Sequence, residues 1–202
     1  MKRSASPGVA PPAPKPRGRP RSFDRDAALD AAMEVFWEKG FEAASISDLT
    51  KAMGLNPPSL YSAFGDKEGL FLEAVERYSE GNQESCPYCE EATARGAIEK
   101  LLTYSAHELT ASSHPRGCLM MMASTTAANS SEALQKLIAR KRAGARDGMR
   151  ERIKRGLKEG DVPAGTDAVA LADFYFTILG GMALSAREGA TRKSLLATVE
   201  QA

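Results

Sequence analysis

The sequence "ESCPYCEEAT" holds Cys86 and Cys89 in a Cys-x-x-Cys spacing, and the one other thiol of the chain is Cys118. Two thiols so spaced can exchange electrons as a disulfide or share a metal ion. Redox catalysis needs the pair where a strand runs into a helix inside a sheet, and no alternating β-branched run flanks this tetrad. Cys86-Pro87 also cannot sit in a helix interior without losing a backbone bond. A metal site would need two further ligands, and the soft candidates His107, His114 and Cys118 have no finger-like spacing. No metal and no cofactor is expected. Three roles remain open for Cys86, Cys89 and Cys118: inert loop residues, a redox-sensing regulator, or, most remotely, a thiol oxidoreductase. The rest of the chain offers no Ser-His-Asp set, no phosphate-cradling glycine loop and no paired acids in an evident cleft, so an enzyme is not expected.

A second group of side chains suits recognition rather than catalysis. Asn56, Ser59, Tyr61 and Ser62 lie within seven residues and offer small polar and aromatic donors that reach phosphates and base edges. The elements around them must then be helical. Asp24 can cap a helix with Leu29, Ala32, Met33, Phe36 and Trp37 on its inner face, and Gly40 ends it. Ser45 and Asp48 stand at capping-box spacing before a short helix with Ile46, Leu49 and Ala52 inward and Met53-Gly54 at its close. Asn56 caps one more short helix to Phe64, with Pro57 and Pro58 in the first turn, where their missing N–H groups cost nothing. A brace helix, a tight turn and a second short helix make the helix-turn-helix plan. Lys67 follows at the next helix start, a poor place for a cation beside the dipole but a useful one beside a phosphate.

Charge is distributed unevenly. The net charge of +1 hides a basic, proline-rich arm, residues 1–22, with Lys2, Arg3, Lys15, Arg17, Arg19 and Arg21 and no acid. Residues 23–80 carry twelve acids against five bases, so an anion bound there must be met by a local surface and by the arm. "RGRPR", Arg17 to Arg21, resembles an AT-hook core whose arginines enter a narrow A·T minor groove, and it reads equally as a flexible cationic linker. With 43% hydrophobic residues in 202, no charged-then-apolar leader and few cysteines, the chain reads as soluble, globular and cytoplasmic.

The run from Gly18 to Tyr78 closely resembles the DNA-binding domain of TetR-family transcriptional regulators. The resemblance rests on "FWEKGF", "SISDLTKAMGL" and "SLYSAFGDKEGL" in order and in register. It implies an all-α homodimer with an N-terminal three-helix helix-turn-helix DNA-binding domain, residues 23–66, and a C-terminal helical ligand-binding and dimerisation domain, residues 67–202. By the same resemblance Ser45 touches phosphate, Pro57, Pro58, Ser59 and Ser62 lie along bases or sugar-phosphate, and Tyr61 and Lys67 hold the backbone of double-stranded DNA. Pro57, Pro58 and Ala63 depart from the common pattern and remove head contacts, which gives the arm more to do.

In the remaining chain, Ala94 to Ser112 carries Ile98, Leu101, Leu102, Ser105 and Leu109 on one face. "PRGCLM" resembles a subset of the same family in which this helix borders the pocket for a small-molecule effector. Cys118, Met120, Met121 and Met122, with Phe174, are the candidate lining, although core filling is the commoner use of such methionines. Ser131 caps a long helix striped by Leu134, Leu137, Ile138, Ala145, Met149, Ile153 and Leu157. The helix from Asp167 to Glu188 is apolar nearly all round; Asp173, Thr177 and Arg187 argue against a membrane span and for burial against its own body and a second subunit, around Phe176, Gly180, Gly181 and Leu184. A closing helix, Arg192 to Glu200, completes the dimer seam. Two heads about one DNA turn apart, ~34–36 Å, read a pseudo-palindrome, and an effector that prefers another subunit arrangement releases it.

Removing residues 1–21 is expected to weaken operator binding and flatten its salt dependence. Salt titrations of DNA binding by full-length and truncated protein read both, and equal affinities with equal slopes would refute the role of the arm.

Overall fold

The computed structural model describes residues 23–84, 90–126 and 131–202. Arg17, Arg19, Arg21, Cys86 and Cys89 lie outside them. Asp24 opens α1, Arg25–Ala43, its carboxylate accepting from Asp26 N at 3.0 Å and Ala27 N at 3.1 Å. Gly40 breaks the helix with φ 79° and ψ 168°, a conformation open to glycine, and a last turn resumes to Ala43. The brace α2, Ile46–Met53, ends at Gly54 in the left-handed region. The next helix α3, Pro57–Phe64, stops at Gly65, and α4, Lys67–Glu84, follows with Gly69 N donating to Asp66 Oδ1 at 2.7 Å.

One expected inward residue of α2 turns outward. Ala52 is exposed, and Leu49, Thr50 and Met53 form the buried face. Thr50 can be buried because its hydroxyl donates to Ile46 O at 2.8 Å, so no polar hydrogen is stranded.

The α1–α4 unit closes around Phe36 and Phe71, whose rings meet edge-on at 4.8 Å, with Leu49, Leu60 and Leu70 fully buried beside them. This core does not end with α4. It takes in Leu119 and Ala123 of α6, Leu119–Thr126, and Leu134, Leu137 and Ile138 of α7, Glu132–Glu159. A second core joins α5, Ala94–Glu108, through Ile98 and Leu102, to Met149 and Ile153 of α7, Met182, Ala183 and Ala186 of α8, Ala168–Arg187, and Leu195 of α9, Arg192–Gln201. At about 1.5 Å per residue α7 spans roughly 42 Å, and each half of it serves a different core. The expected stripe is interrupted between them: Ala145 is exposed, with all of residues 143–148. The α5 helix stops at Glu108, four residues before the expected end, and Thr110 beyond it bonds its hydroxyl to Ala106 O at 2.8 Å.

The α8 helix is long and apolar enough to cross a membrane by length and composition, yet it packs against α7, α5, α6 and α9. It keeps an exposed face, with Val169, Phe174 and Leu184 at 49%, 50% and 57% of full exposure. Its C-terminal end is tied in two directions. Arg116 Nε donates to Ala186 O at 3.0 Å and the same guanidinium reaches Ala190 O, while Arg187 donates to Glu38 O of α1. Gly117, at φ 85°, lies so close to α8 that a Cβ there would stand 3.0 Å from Ala183 O.

The capping box of α2 is charge-assisted. Lys39 Nζ lies 2.7 Å from Asp48 Oδ1, Ser45 Oγ donates to Asp48 Oδ2 at 2.7 Å, and Ser45 N donates to the same oxygen at 3.1 Å. Lys39 first, then the two Ser45 bonds, hold the Asp48 carboxyl far below its ordinary value of 3.8. A carboxylate depressed on folding stabilises above its unfolded value and loses that contribution as the pH falls toward its folded one. Asp48→Asn is therefore expected to lower the urea midpoint near neutrality, with the gap to wild type closing as the pH drops below 3.8. A gap constant across that range would contradict the assignment.

Candidate nucleic-acid interface

Recognition requires a helix face held rigidly outward, and α3 is built that way from its first residue. Asn56 Oδ1 accepts from Ser59 N at 2.9 Å, which leaves the amide –NH2 of Asn56 directed to other partners. Pro57 and Pro58 fill the first two positions, where the helix has no hydrogen bond to lose. Leu60 and Phe64, one turn apart, are buried at 0% and 5% exposure, so the opposite face must point away from the core. On that face Pro57, Pro58, Tyr61 and Ser62 are exposed, with Ser59 half-buried at its edge. The structure thus brings Asn56, Pro57, Pro58, Tyr61 and Ser62 onto one surface.

Arg25 fixes the far end of α3. Its guanidinium lies 4.4 Å above the Phe64 ring, donates to Glu73 Oε1 at 2.7 Å and reaches Ala63 O at 3.3 Å, joining α1, α3 and α4 in one contact. No local pattern announces this residue, since its partners stand 38 and 48 positions away.

Ser45 and Lys67 are placed less freely than their sequence positions suggest. Both donors of Ser45 are engaged by Asp48, so a phosphate must compete with that carboxylate to receive its hydroxyl. Lys67 Nζ sits 4.7 Å over the Phe41 ring and donates to Glu42 O at 3.3 Å, which spends one of its three N–H groups and leaves the others. The α3 surface itself carries no formal charge, and Lys39 of α1 is already paired with Asp48.

The candidate effector lining is dispersed. Met121 is half-buried against α8, where its Cε would stand 2.9 Å from a Cβ placed on Gly180. Met122 is half-buried on α6, Cys118 lies 3.3 Å from the Tyr78 hydroxyl, and Phe174 stands on the outer face of α8, edge-on to Tyr175 at 5.2 Å. Two prominent cavities, about 540 Å3 between α1, α4 and α7 and about 280 Å3 between α1, α4 and the α5–α6 connection, are lined by other residues. Of the residues expected at a subunit seam, Gly181 and Leu184 are exposed. Gly180 faces Met121, and Phe176 turns to α7, under Arg142 and Arg146 at 5.6 and 5.0 Å.

Comparison with known proteins gives a consistent answer. The family model "Bacterial regulatory proteins, tetR family" matches residues 28–74, and "Tetracyclin repressor-like, C-terminal domain" matches residues 95–199. The HTH-type transcriptional repressor ComR of Escherichia coli K12 is 36% identical over 166 residues, covering 81% of this chain and 79% of that protein. The repressor BdcR of the same organism is 50% identical over 44 residues, 22% of each chain. Among solved structures, a cysteine mutant of the TetR family regulator CifR, complexed with 26-bp double-strand operator DNA, superposes with a TM-score of 0.85 at 42% identity, covering 91% of this chain and 97% of that one. A putative TetR regulator from Rhodococcus sp. RHA1 gives a TM-score of 0.58 at 36% identity over 87% of this chain and 96% of its own. With its helix-turn-helix, its helical C-terminal domain and these matches across both, the chain belongs to the TetR family of bacterial regulatory proteins.

Proposed function

We propose that this protein is a homodimeric transcriptional repressor that binds a pseudo-palindromic operator through Asn56, Pro57, Pro58, Ser59 and Ser62, with Ser45, Tyr61, Lys67 and the arm on the phosphates, and is released by a small-molecule effector. The observation that carries it is the outward face of α3, polar and uncharged, held in place from behind by Leu60, Phe64 and Arg25. A helix so presented fits a major groove, and the solved operator complex of the similar CifR supports the same reading here. The second subunit has a place to dock. On the exposed side of α8, Phe174 and Gly181 stand seven residues apart and Leu184 three further on, and covering the half-exposed Phe174 and Leu184 is worth on the order of 1 kcal/mol each.

The expected mass in solution is that of two chains, and Leu184→Asp should yield monomers that lose the inverted repeat. Tyr61→Ala should keep the dimer and the helical spectrum yet bind the operator about tenfold less tightly, matching the ~1.5 kcal/mol lower end for a hydrogen bond to a charged phosphate. Sedimentation and gel-shift titrations test both. A monomeric wild type, or equal affinity for an inverted repeat and its isolated half-site, would overturn the proposal.

A thiol-responsive form of the same regulator is favoured by one contact. The hydroxyl of Tyr78 on α4 lies 3.3 Å from Cys118 Sγ, so a change at that sulfur is felt directly on the helix joining head and body. If thiols are the trigger, oxidant releases operator from wild type and not from protein with Cys86, Cys89 and Cys118 all replaced by Ser. An unchanged oxidant response removes this form.

A further inference from the structure

Two cations of the DNA-binding part are held by the same device. Arg25 lies 4.4 Å above the Phe64 ring and donates at 3.3 Å to Ala63 O, in the last turn of α3. Lys67 Nζ lies 4.7 Å above the Phe41 ring and donates at 3.3 Å to Glu42 O, in the last turn of α1. In each case a ring face and a helix-end carbonyl, one of the acceptors that a helix leaves over, receive the positive charge.

The two differ in what neutralises them. The Arg25 guanidinium also lies 2.7 Å from the Glu73 carboxylate, so it closes a contact inside the protein. Lys67 has no carboxylate partner among the described residues, and two of its three N–H groups stay available. Its place is unusual for a cation. Lys67 is the first residue of α4, where its own helix dipole repels it, and its side chain reaches instead to the end of α1, where the dipole attracts it. The break at Gly40, φ 79°, precedes that end turn, and Phe41 is anchored in it by the rings of Phe71 at 5.0 Å and Phe36 at 6.3 Å, both fully buried. A ring fixed to the core thus meets a long, flexible stem.

We propose that Phe41 is a positioning residue for DNA binding: its ring holds the Lys67 ammonium in place before the operator arrives, so that the phosphate contact is made without ordering a free side chain. This rests on the reading of the protein as an operator-binding regulator in which Lys67 meets the phosphates. Immobilising a lysine during association weakens binding, and a side chain already held escapes that loss. The phosphate takes the two N–H groups that Glu42 O leaves, while the ring keeps the ammonium from wandering.

Duplexes that the wild-type protein selects from a random-sequence pool serve as the probe, and affinity is measured by gel shift at several salt concentrations. Lys67→Ala is expected to bind more weakly and to flatten the slope of log affinity against log salt by about 1, the release expected of one phosphate contact. Phe41→Leu keeps an apolar side chain and removes the ring. It is expected to cost about fivefold in affinity with Lys67 present and nothing when residue 67 is already alanine, while Phe41→Tyr keeps the wild-type affinity. An equal loss in both backgrounds assigns Phe41 to the core alone and overturns the proposal, as does an unchanged salt slope in Lys67→Ala. A further measurement needs no variant to fold. Protons above a ring face are shifted upfield, so the Lys67 CεH2 resonances of the DNA-free protein are expected upfield of those of the other lysines, and an ordinary lysine position overturns the proposal. If the pool yields no bound duplex, the regulator reading fails, and the resonance position still decides whether Phe41 holds Lys67.

Discussion

The helices of the DNA-binding part depend on one aromatic and aliphatic core, centred on Phe36 and Phe71, that they share with α6 and the first half of α7. Each fully buried Phe or Leu there contributes about 1.5–3 kcal/mol, whereas a helix cap contributes about 1. Caps decide where helices begin, and the core decides how they point. Leu60 and Phe64 enter that core from α3, so the orientation of Tyr61 and Ser62 is set by packing on α2 and α4, within a core that extends to Leu119 and Leu134.

This shared packing makes the family's division into a DNA-binding part and a sensing part a division of surface rather than of interior. The α7 helix runs through both cores, and α8 reaches α1 directly through Arg187 and Glu38 O. The α5–α6 connection adds a third link, with His114 on Trp37, Arg116 on the end of α8, and Cys118 against Tyr78. A displacement of the α5–α6 connection is therefore felt at three places at once, on α1, α4 and α8.

What the sequence made legible was local. Asp24, Ser45, Asn56 and Ser131 all act at the helix starts that their types announced, because a cap involves partners two to four residues away. The outward face of α3 was legible for the same reason. Ala52 and Ala145 were misplaced because alanine fits either side of a helix and its exposure depends on where a neighbouring helix ends. Arg25 over Phe64 and Trp37 against His114 join residues tens of positions apart, and periodicity carries no record of such pairs. Phe174 and Leu184 stay about half exposed although the apolar pattern of α8 marks them for burial.

The central claim is that the head is held by the body through one continuous core. Native-state hydrogen exchange resolved by residue measures it most directly. The account predicts that the amides of Phe36, Leu60 and Phe71 open at the same free energy, and with the same denaturant dependence, as those of Leu119 and Leu134. If α1–α3 instead exchange through a separate, lower-energy opening while α6 and α7 stay protected, the head folds by itself and the account is contradicted.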